Sequence, residues 1–126
     1  MKAWIALAIA LVGMLGSGGA QATGRKYDGN ELLGQCQQYL KLADSEPNFD
    51  RIDVGMCAGF VEGVNSMVYF YNDVLKKDDK YCMPYSVTNG QMVRIVVKYL
   101  KDNPKLLNKS NTVLVWSAFK DAYPCK

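Results

Sequence analysis

The chain has 126 residues, of which 49% are hydrophobic, four are cysteine and none is histidine. This length fits one domain. Without histidine there can be no Ser-His-Asp or Cys-His catalytic unit and no imidazole ligand for a metal ion. A net charge of +3 is too small to indicate a nucleic-acid partner. We therefore expect a protein with no catalytic residues, no metal site and no cofactor.

The first 22 residues have the pattern of a cleavable export signal. Met1-Lys2 is a short basic start, residues 3–15 form an apolar run, and Ala20-Gln21-Ala22 is a small-residue cleavage site. A transmembrane anchor is disfavoured, because the apolar run is shorter than the ~20 residues needed to span a bilayer. The sequence thus predicts cleavage after Ala22 and a single exported domain, residues 23–126, without a membrane anchor.

Two amphipathic helices are predicted in the first half of that domain. The first runs from about Gly29 to Ala43, where apolar residues recur at helical spacing, and Asp28 or Asn30 can cap its start. Breaker residues at 45–48 end it. A second, longer helix is predicted from about Asp50 to Leu75, with its first aspartate as the N-cap.

Three glycines lie four residues apart on one face of the second predicted helix: Gly55, Gly59 and Gly63. Each glycine costs up to about 1 kcal/mol in a helix interior relative to alanine. This cost predicts a helix-packing face that another backbone approaches closely. A helix that is weak or kinked at these positions is the alternative.

A charged segment follows the second helix and is flanked by aromatic residues. Lys76-Lys77-Asp78-Asp79-Lys80 predicts a solvated loop, because these charges cannot be buried unpaired. Tyr81-Cys82-Met83-Pro84-Tyr85 predicts an ordered loop directly after it. Together with Tyr69-Phe70-Tyr71 these tyrosines form an aromatic cluster. Aromatic side chains are enriched in binding interfaces but also fill cores, and both interpretations stay open.

Two further helices complete an all-α prediction of four to five helices. Thr88-Asn89-Gly90-Gln91 fits the S/T-x-x-E/Q capping box at the start of a third helix. Asn103-Pro104 ends that helix and is predicted to begin a fourth, which continues to about Ala122. Pairs of carboxylates remain as acid–base candidates at 50/53 and 78/79, but neither is expected to face across a cleft.

The predicted turns suggest how the four cysteines pair. An even number of cysteines in a small exported protein indicates two disulfides. The midpoint of Cys36 and Cys57 falls at the first predicted turn, and the midpoint of Cys82 and Cys125 falls between Asn103 and Pro104. A Cys57–Cys82 pair would instead centre inside the longest helix, which disagrees with the ~7 Å limit between bonded Cα atoms. We therefore predict the disulfides Cys36–Cys57 and Cys82–Cys125.

The C-terminal two-thirds of the predicted domain contain an ordered set of short motifs. Cys57-Ala58-Gly59-Phe60-Val61-Glu62-Gly63-Val64 matches C-x-G-[FY]-[VI]-x-G-[VI], and Tyr81-Cys82-Met83-Pro84 matches [FY]-C-x-P. The segment 91–104 matches Q-x4-V-V-x-Y-L-x3-P, and 118–125 matches A-[LF]-x2-A-[YF]-P-C. Taken in order, this set resembles the Rap/Tai family of type VI secretion immunity proteins.

The resemblance implies a small, helical, periplasmic protein that is often a homodimer. It implies that the chain binds a peptidoglycan amidase effector and occludes its active site, so that the producing cell is protected without any chemistry of its own. We predict that the partner-facing surface consists of Lys76, Lys77, Asp78, Asp79, Lys80, Tyr81 and Tyr85.

Another class of function is also compatible with the sequence. The chain could be a periplasmic acid-stress chaperone, similar to the HdeA-like proteins, or a general helical binding module. Twelve acidic groups make an acid switch physically possible, and the lack of histidine would place it at low pH. The motifs match that family less well.

Overall fold

The computed structural model describes Gly24 and residues 26–126. Its described part contains four α-helices and no named strand: α1 (Gly29–Ala43), α2 (Arg51–Phe70), α3 (Asn89–Asp102) and α4 (Asn111–Ala122). The predicted all-α class is confirmed. The predicted export signal lies outside the described residues. Among the described helices, none is long and apolar enough to cross a bilayer.

The starts of α1, α2 and α3 follow the side-chain caps that the sequence predicts, whereas α4 has no side-chain cap at its start. The Asp28 carboxylate accepts from the Glu31 N–H at the start of α1. The Asp50 carboxylate accepts from two backbone N–H groups at the start of α2. Thr88 and Gln91 form the complete capping box of α3. Each cap satisfies backbone donors that have no partner within the helix.

Two helix ends differ from the prediction. The second helix ends at Phe70 rather than Leu75, and residues 71–75 form successive turns. Asn72 and Asp73 lie there, and such side chains compete with the helical backbone for hydrogen bonds. The predicted fourth helix is interrupted, because Pro104–Leu106 forms only a 3₁₀ turn and α4 begins at Asn111.

The interruption between α3 and α4 has a tertiary cause. The Lys109 carbonyl accepts from the Gly29 N–H at 3.2 Å, and the Leu107 carbonyl accepts from the Asn30 N–H at 3.1 Å. A continuous helix would use these carbonyls internally, whereas here they bind the first N–H groups of α1. The connection between α3 and α4 therefore holds the start of α1.

The helices enclose one apolar core. α1 packs mainly on α2 and α3, and α4 packs mainly on α3. All four helices contribute buried side chains to this core, among them Leu32, Val61, Val96, Leu100, Leu114 and Phe119.

Both predicted disulfides are confirmed. Cys36–Cys57 joins the middle of α1 to the second turn of α2, and both cysteines are 0% exposed. Cys82–Cys125 joins the segment before α3 to the residues after α4. Each has a Cα–Cα distance of 5.0 Å, within the usual range. A disulfide typically stabilises a small domain by about 2–4 kcal/mol.

Candidate functional site

The segment 76–85 links the end of α2 to α3 and carries most of the residues predicted to face a partner. Lys76 is followed by a 3₁₀ turn, Lys77–Asp79. The side chains of residues 76–79 are exposed, whereas Lys80 is half-buried and donates to the Asn72 carbonyl at 3.2 Å. The charge run is thus at the surface, as predicted, and it has a defined backbone. We call residues 76–85 the surface loop.

Two side chains of α4 fix the tip of the surface loop. The Trp116 indole N–H donates to the Asp79 carbonyl at 3.2 Å, and the Lys120 ammonium donates to the Asp78 carbonyl. The same ammonium lies 4.7 Å from the centre of the Trp116 ring, a cation–π geometry. Since both donors bind main-chain oxygens, the contacts do not depend on which side chains the loop presents.

Tyr81 anchors the surface loop in the core. It is only 5% exposed, its ring lies 5.3 Å from the Phe119 ring, and its hydroxyl donates to Asn65 Oδ1 at 3.0 Å. Burial raises the pKa of Tyr81 well above its ordinary value, so its hydroxyl stays protonated and can donate. Tyr81 therefore supports the predicted partner-facing surface from below and is not itself presented to solvent.

The loop is also paired with the C-terminal residues. Tyr81 and Pro124 form an isolated antiparallel bridge, and the Cys82 N–H donates to the Tyr123 carbonyl at 2.8 Å. The Cys82–Cys125 disulfide lies directly beside this bridge. The loop is therefore held by a covalent bond, a short backbone pairing and two side chains of α4.

Exposed aromatic residues lie beside the loop. Tyr69 at the end of α2 is 64% exposed, Phe70 is 76% exposed and Tyr85 is 86% exposed. The Tyr85 hydroxyl donates to the Tyr69 hydroxyl, and the two rings meet edge to face at 5.6 Å. This hydrogen bond raises the pKa of Tyr85. Exposed aromatic side chains of this size are unusual at a solvated surface and are typical of binding sites.

A cleft of about 590 Å³ lies between the end of α2 and the loop. Val68, Tyr69 and Phe70 line one side, and Met83, Pro84 and Tyr85 line the other. The exposed aromatic residues Tyr69, Phe70 and Tyr85 thus line this cleft. A partner could insert an apolar side chain there and place carboxylates near Lys76 and Lys77.

The predicted close packing at Gly55, Gly59 and Gly63 does not occur among the residues that the structure describes. No atom of the described residues outside the helix's own backbone lies within 4 Å of a Cβ built on any of the three. The three glycines are exposed, and Gly59 and Gly63 line an apolar groove of about 510 Å³ between α2 and α4. The three glycines lie on one face of α2, as their helical spacing predicts, but this face is open. We call the face of α2 that carries Gly55, Gly59 and Gly63 the glycine face.

The close packing occurs instead at Gly29, which the sequence pattern did not predict. A Cβ built there would lie 2.5 Å from Leu114 Cδ1 and 2.9 Å from Leu107 Cα. A single glycine at a predicted helix start gives no periodic signal, so its role depends on contacts that are distant in sequence. The loop contacts of Trp116 and Lys120 were missed for the same reason.

The described residues contain no cluster of metal-binding side chains and no free thiol. Within them, no group of three or more carboxylate, imidazole or thiol side chains is arranged to hold a metal ion. All four cysteines are in disulfides. The features that remain are surfaces: the loop with its aromatic neighbours, and the glycine face.

A comparison with protein-family models now decides the family. The model of the Rap1a immunity proteins matches residues 28–125, which is most of the chain. The chain belongs to the Rap1a immunity protein family. The resemblance to the Rap/Tai proteins is thus confirmed. The match covers all four described helices, both disulfides and the surface loop. We therefore interpret the exposed surfaces of this chain as those of an immunity protein.

Searches of curated proteins and of solved structures found no match.

Proposed function

We propose that this chain is a periplasmic immunity protein that binds a type VI secreted peptidoglycan amidase and occludes its active site. The family match carries the proposal, since immunity proteins act on a cognate effector. The N-terminal pattern with cleavage after Ala22 supports export, and two disulfides suit an oxidising compartment. Protection comes from binding alone, without catalysis by the immunity protein.

The surface loop and its aromatic neighbours are the proposed effector-binding surface. Lys76, Lys77, Asp78, Asp79 and Tyr85 supply its exposed polar and aromatic groups, and Tyr69 and Phe70 add apolar area. The anchors from α4 limit the conformations of the loop before binding. Less conformational entropy is then lost on association, which favours tight binding.

The binding surface can be tested with two substitutions and two matched controls. Phe70→Ala removes an exposed aromatic anchor and is expected to weaken amidase binding by about 30-fold, the effect of a ~2 kcal/mol interface residue. Lys77→Glu is expected to slow association most strongly at low salt. Lys105→Glu, at the opposite end of the α3–α4 pair, and Leu42→Ala, on α1, are the controls. If Phe70→Ala and Lys77→Glu bound the amidase as tightly as wild type and the two controls do, the binding surface would lie elsewhere.

The function itself is tested with the oxidised domain, residues 23–126, and the amidase encoded by the neighbouring reading frame. Peptidoglycan hydrolysis is measured as the immunity protein is titrated in. We expect inhibition to be complete near one domain per amidase. Full amidase activity in the presence of excess domain would refute the proposal.

We further propose that the chain forms a homodimer through the glycine face. In a two-fold interface the same surface meets itself, so a charged face would bring like charges together. Ile52, Gly55, Gly59, Gly63 and Met67 lie along this exposed stripe of α2, and none is charged. The glycines leave room for a second α2 to approach closely.

Gly63→Glu tests the homodimer. No atom of the described chain would meet the new Cβ, so the monomer should fold, but the change places a carboxylate in the proposed interface. Sedimentation should show a monomer for Gly63→Glu and a dimer for both wild type and Gly34→Glu, where an equally open glycine lies on α1. A monomeric wild type, or a dimer that Gly63→Glu leaves intact, would contradict this interface.

A further inference from the structure

The two disulfides differ in their access to solvent. Both sulfur-bearing residues of Cys36–Cys57 are fully buried in the core between α1 and α2. Cys82 is exposed, and Cys125 is half-buried close to the end of the chain. Reduction of a disulfide requires a thiolate to reach one of its sulfurs. A reductant therefore reaches Cys82–Cys125 before it reaches the buried bond.

The two disulfides also hold different parts of the molecule. Cys36–Cys57 joins two helices that share the main core. Cys82–Cys125 joins the surface loop to residues 123–125, which also pair with the loop through one backbone bridge that includes the Cys82 N–H···O=C Tyr123 bond. An isolated backbone pairing of this size has little stability in water. The disulfide is thus the main link between the C-terminus and the loop.

We propose that Cys82–Cys125 is a redox switch that controls effector binding. In the reaction, a dithiol reductant transfers two electrons and two protons to the bond. The reductant becomes a disulfide, and Cys82 and Cys125 become thiols. The C-terminal residues and the surface loop then separate, while Cys36–Cys57 and the core keep the four helices folded. This proposal rests on the proposed function, because the loop is taken to be the effector-binding surface.

The switch has a consequence for where the protein can act. When Cys82–Cys125 is reduced, the loop keeps its contacts with Trp116 and Lys120 but loses its covalent link to the C-terminal residues, and the chain binds its effector less tightly. After oxidation, the loop has one arrangement and binding is tight. Binding competence is thereby tied to the compartment in which the effector acts.

The first test concerns the order of reduction. The oxidised domain is treated with increasing dithiothreitol, the free thiols are alkylated with iodoacetamide, and labelled peptides are identified by mass spectrometry. We expect Cys82 and Cys125 to be labelled at dithiothreitol concentrations that leave Cys36 and Cys57 unlabelled. Simultaneous labelling of all four cysteines would overturn the proposal.

The second test concerns the effect of opening the bond. The Cys82→Ser/Cys125→Ser variant should keep its helical circular dichroism but exchange amide hydrogens faster at residues 76–82 and 123. Its affinity for the amidase should fall by at least about tenfold, which corresponds to about 1.4 kcal/mol. A variant that loses all helical signal would overturn the proposal, because the bond would then hold the fold and not the loop.

The outcomes separate this inference from the function on which it rests. If the oxidised wild type does not bind the amidase, the proposed function fails, and the labelling and hydrogen-exchange results still decide whether the bond controls the loop. If the oxidised wild type and the double variant bind equally well, the function stands and the switch is refuted.

Discussion

Gly29 offers a direct test of how α1 is attached to the rest of the molecule. It is the first residue of α1 and is buried against the α3–α4 connection. A Cβ there would lie 2.5 Å from Leu114 Cδ1, 2.9 Å from Leu107 Cα and 3.0 Å from the Leu107 carbonyl oxygen. Two of these three neighbours are backbone atoms, and the Leu114 side chain is 1% exposed and has little room to move.

The expected cost of Gly29→Ala follows from these distances. Carbon atoms pack best at about 3.5–4.0 Å, so the added methyl must push the connection away from α1. Extra methyl groups in a packed core typically cost about 1–3 kcal/mol. The higher helix propensity of alanine relative to glycine offsets less than about 1 kcal/mol of this cost at a helix start. We therefore expect Gly29→Ala to lower the free energy of unfolding by about 1–2 kcal/mol and the melting temperature by roughly 5–15 °C.

Gly34→Ala is the matched control on the same helix. Gly34 is exposed in the middle of α1, and no described atom outside the helix's own backbone lies within 4 Å of a Cβ built there. Here the same substitution should raise the free energy of unfolding by up to about 1 kcal/mol. Both variants are measured by urea denaturation with the disulfides intact. A Gly29→Ala variant as stable as wild type would show that the connection does not pack closely on α1.

Three further substitutions test local features of the fold. Ser45, just after α1, has a positive φ of 57°, so Ser45→Gly should raise the free energy of unfolding by about 0.5–1 kcal/mol, measured by urea denaturation. Asp50→Ala removes the α2 cap and should lower the free energy of unfolding by about 1 kcal/mol in the same assay. Burial raises the folded-state pKa of Tyr81, so its contribution to stability is complete below the unfolded pKa of about 10 and declines as the pH rises above it. Tyr81→Phe should therefore show a shallower loss of stability than wild type in rapid unfolding measurements from about pH 9 to 11, and equal slopes would contradict a buried Tyr81 hydroxyl.

The sequence predicted the starts of α1, α2 and α3 well because their signals are local. Asp28, Asp50 and Thr88 each cap donors within three residues of themselves, so the pattern contains both partners of every bond. The disulfides were predictable for a related reason. In an antiparallel helix pair, residues equidistant from the turn face each other, and the turns were marked by Pro47 and Pro104.

The helix ends and the packing faces were less predictable because they depend on distant residues. The carbonyls of Leu107 and Lys109 bind α1, which breaks the helix that Pro104 could otherwise have started. The spacing of Gly59 and Gly63 shows that they share a face, but it does not show whether another element covers that face. In this fold α4 borders the groove beside Gly59 and Gly63 and does not cover them.

The sequence indicated where the surface loop lies but not what holds it in place, and the difference has a physical basis. Charge and aromatic content identified the surface loop, since both are properties of its own residues. What makes the loop rigid lies on α4 and at the C-terminus, where Trp116 and Lys120 bind carbonyl oxygens that every residue type supplies. Because a main-chain oxygen is present at every residue, a side chain that binds one needs no particular residue type as its partner. The sequence therefore does not indicate such a contact.

The same arrangement separates the scaffold from recognition. Trp116, Lys120 and the Cys82–Cys125 bond fix the loop backbone without using the side chains of residues 76–79. Those side chains can therefore change charge or size while the loop keeps its shape. Exposed surface substitutions of this kind usually alter stability by less than about 0.5 kcal/mol. On the proposed function, in which this loop binds the effector, a new specificity would require changes at the loop surface and none in the core.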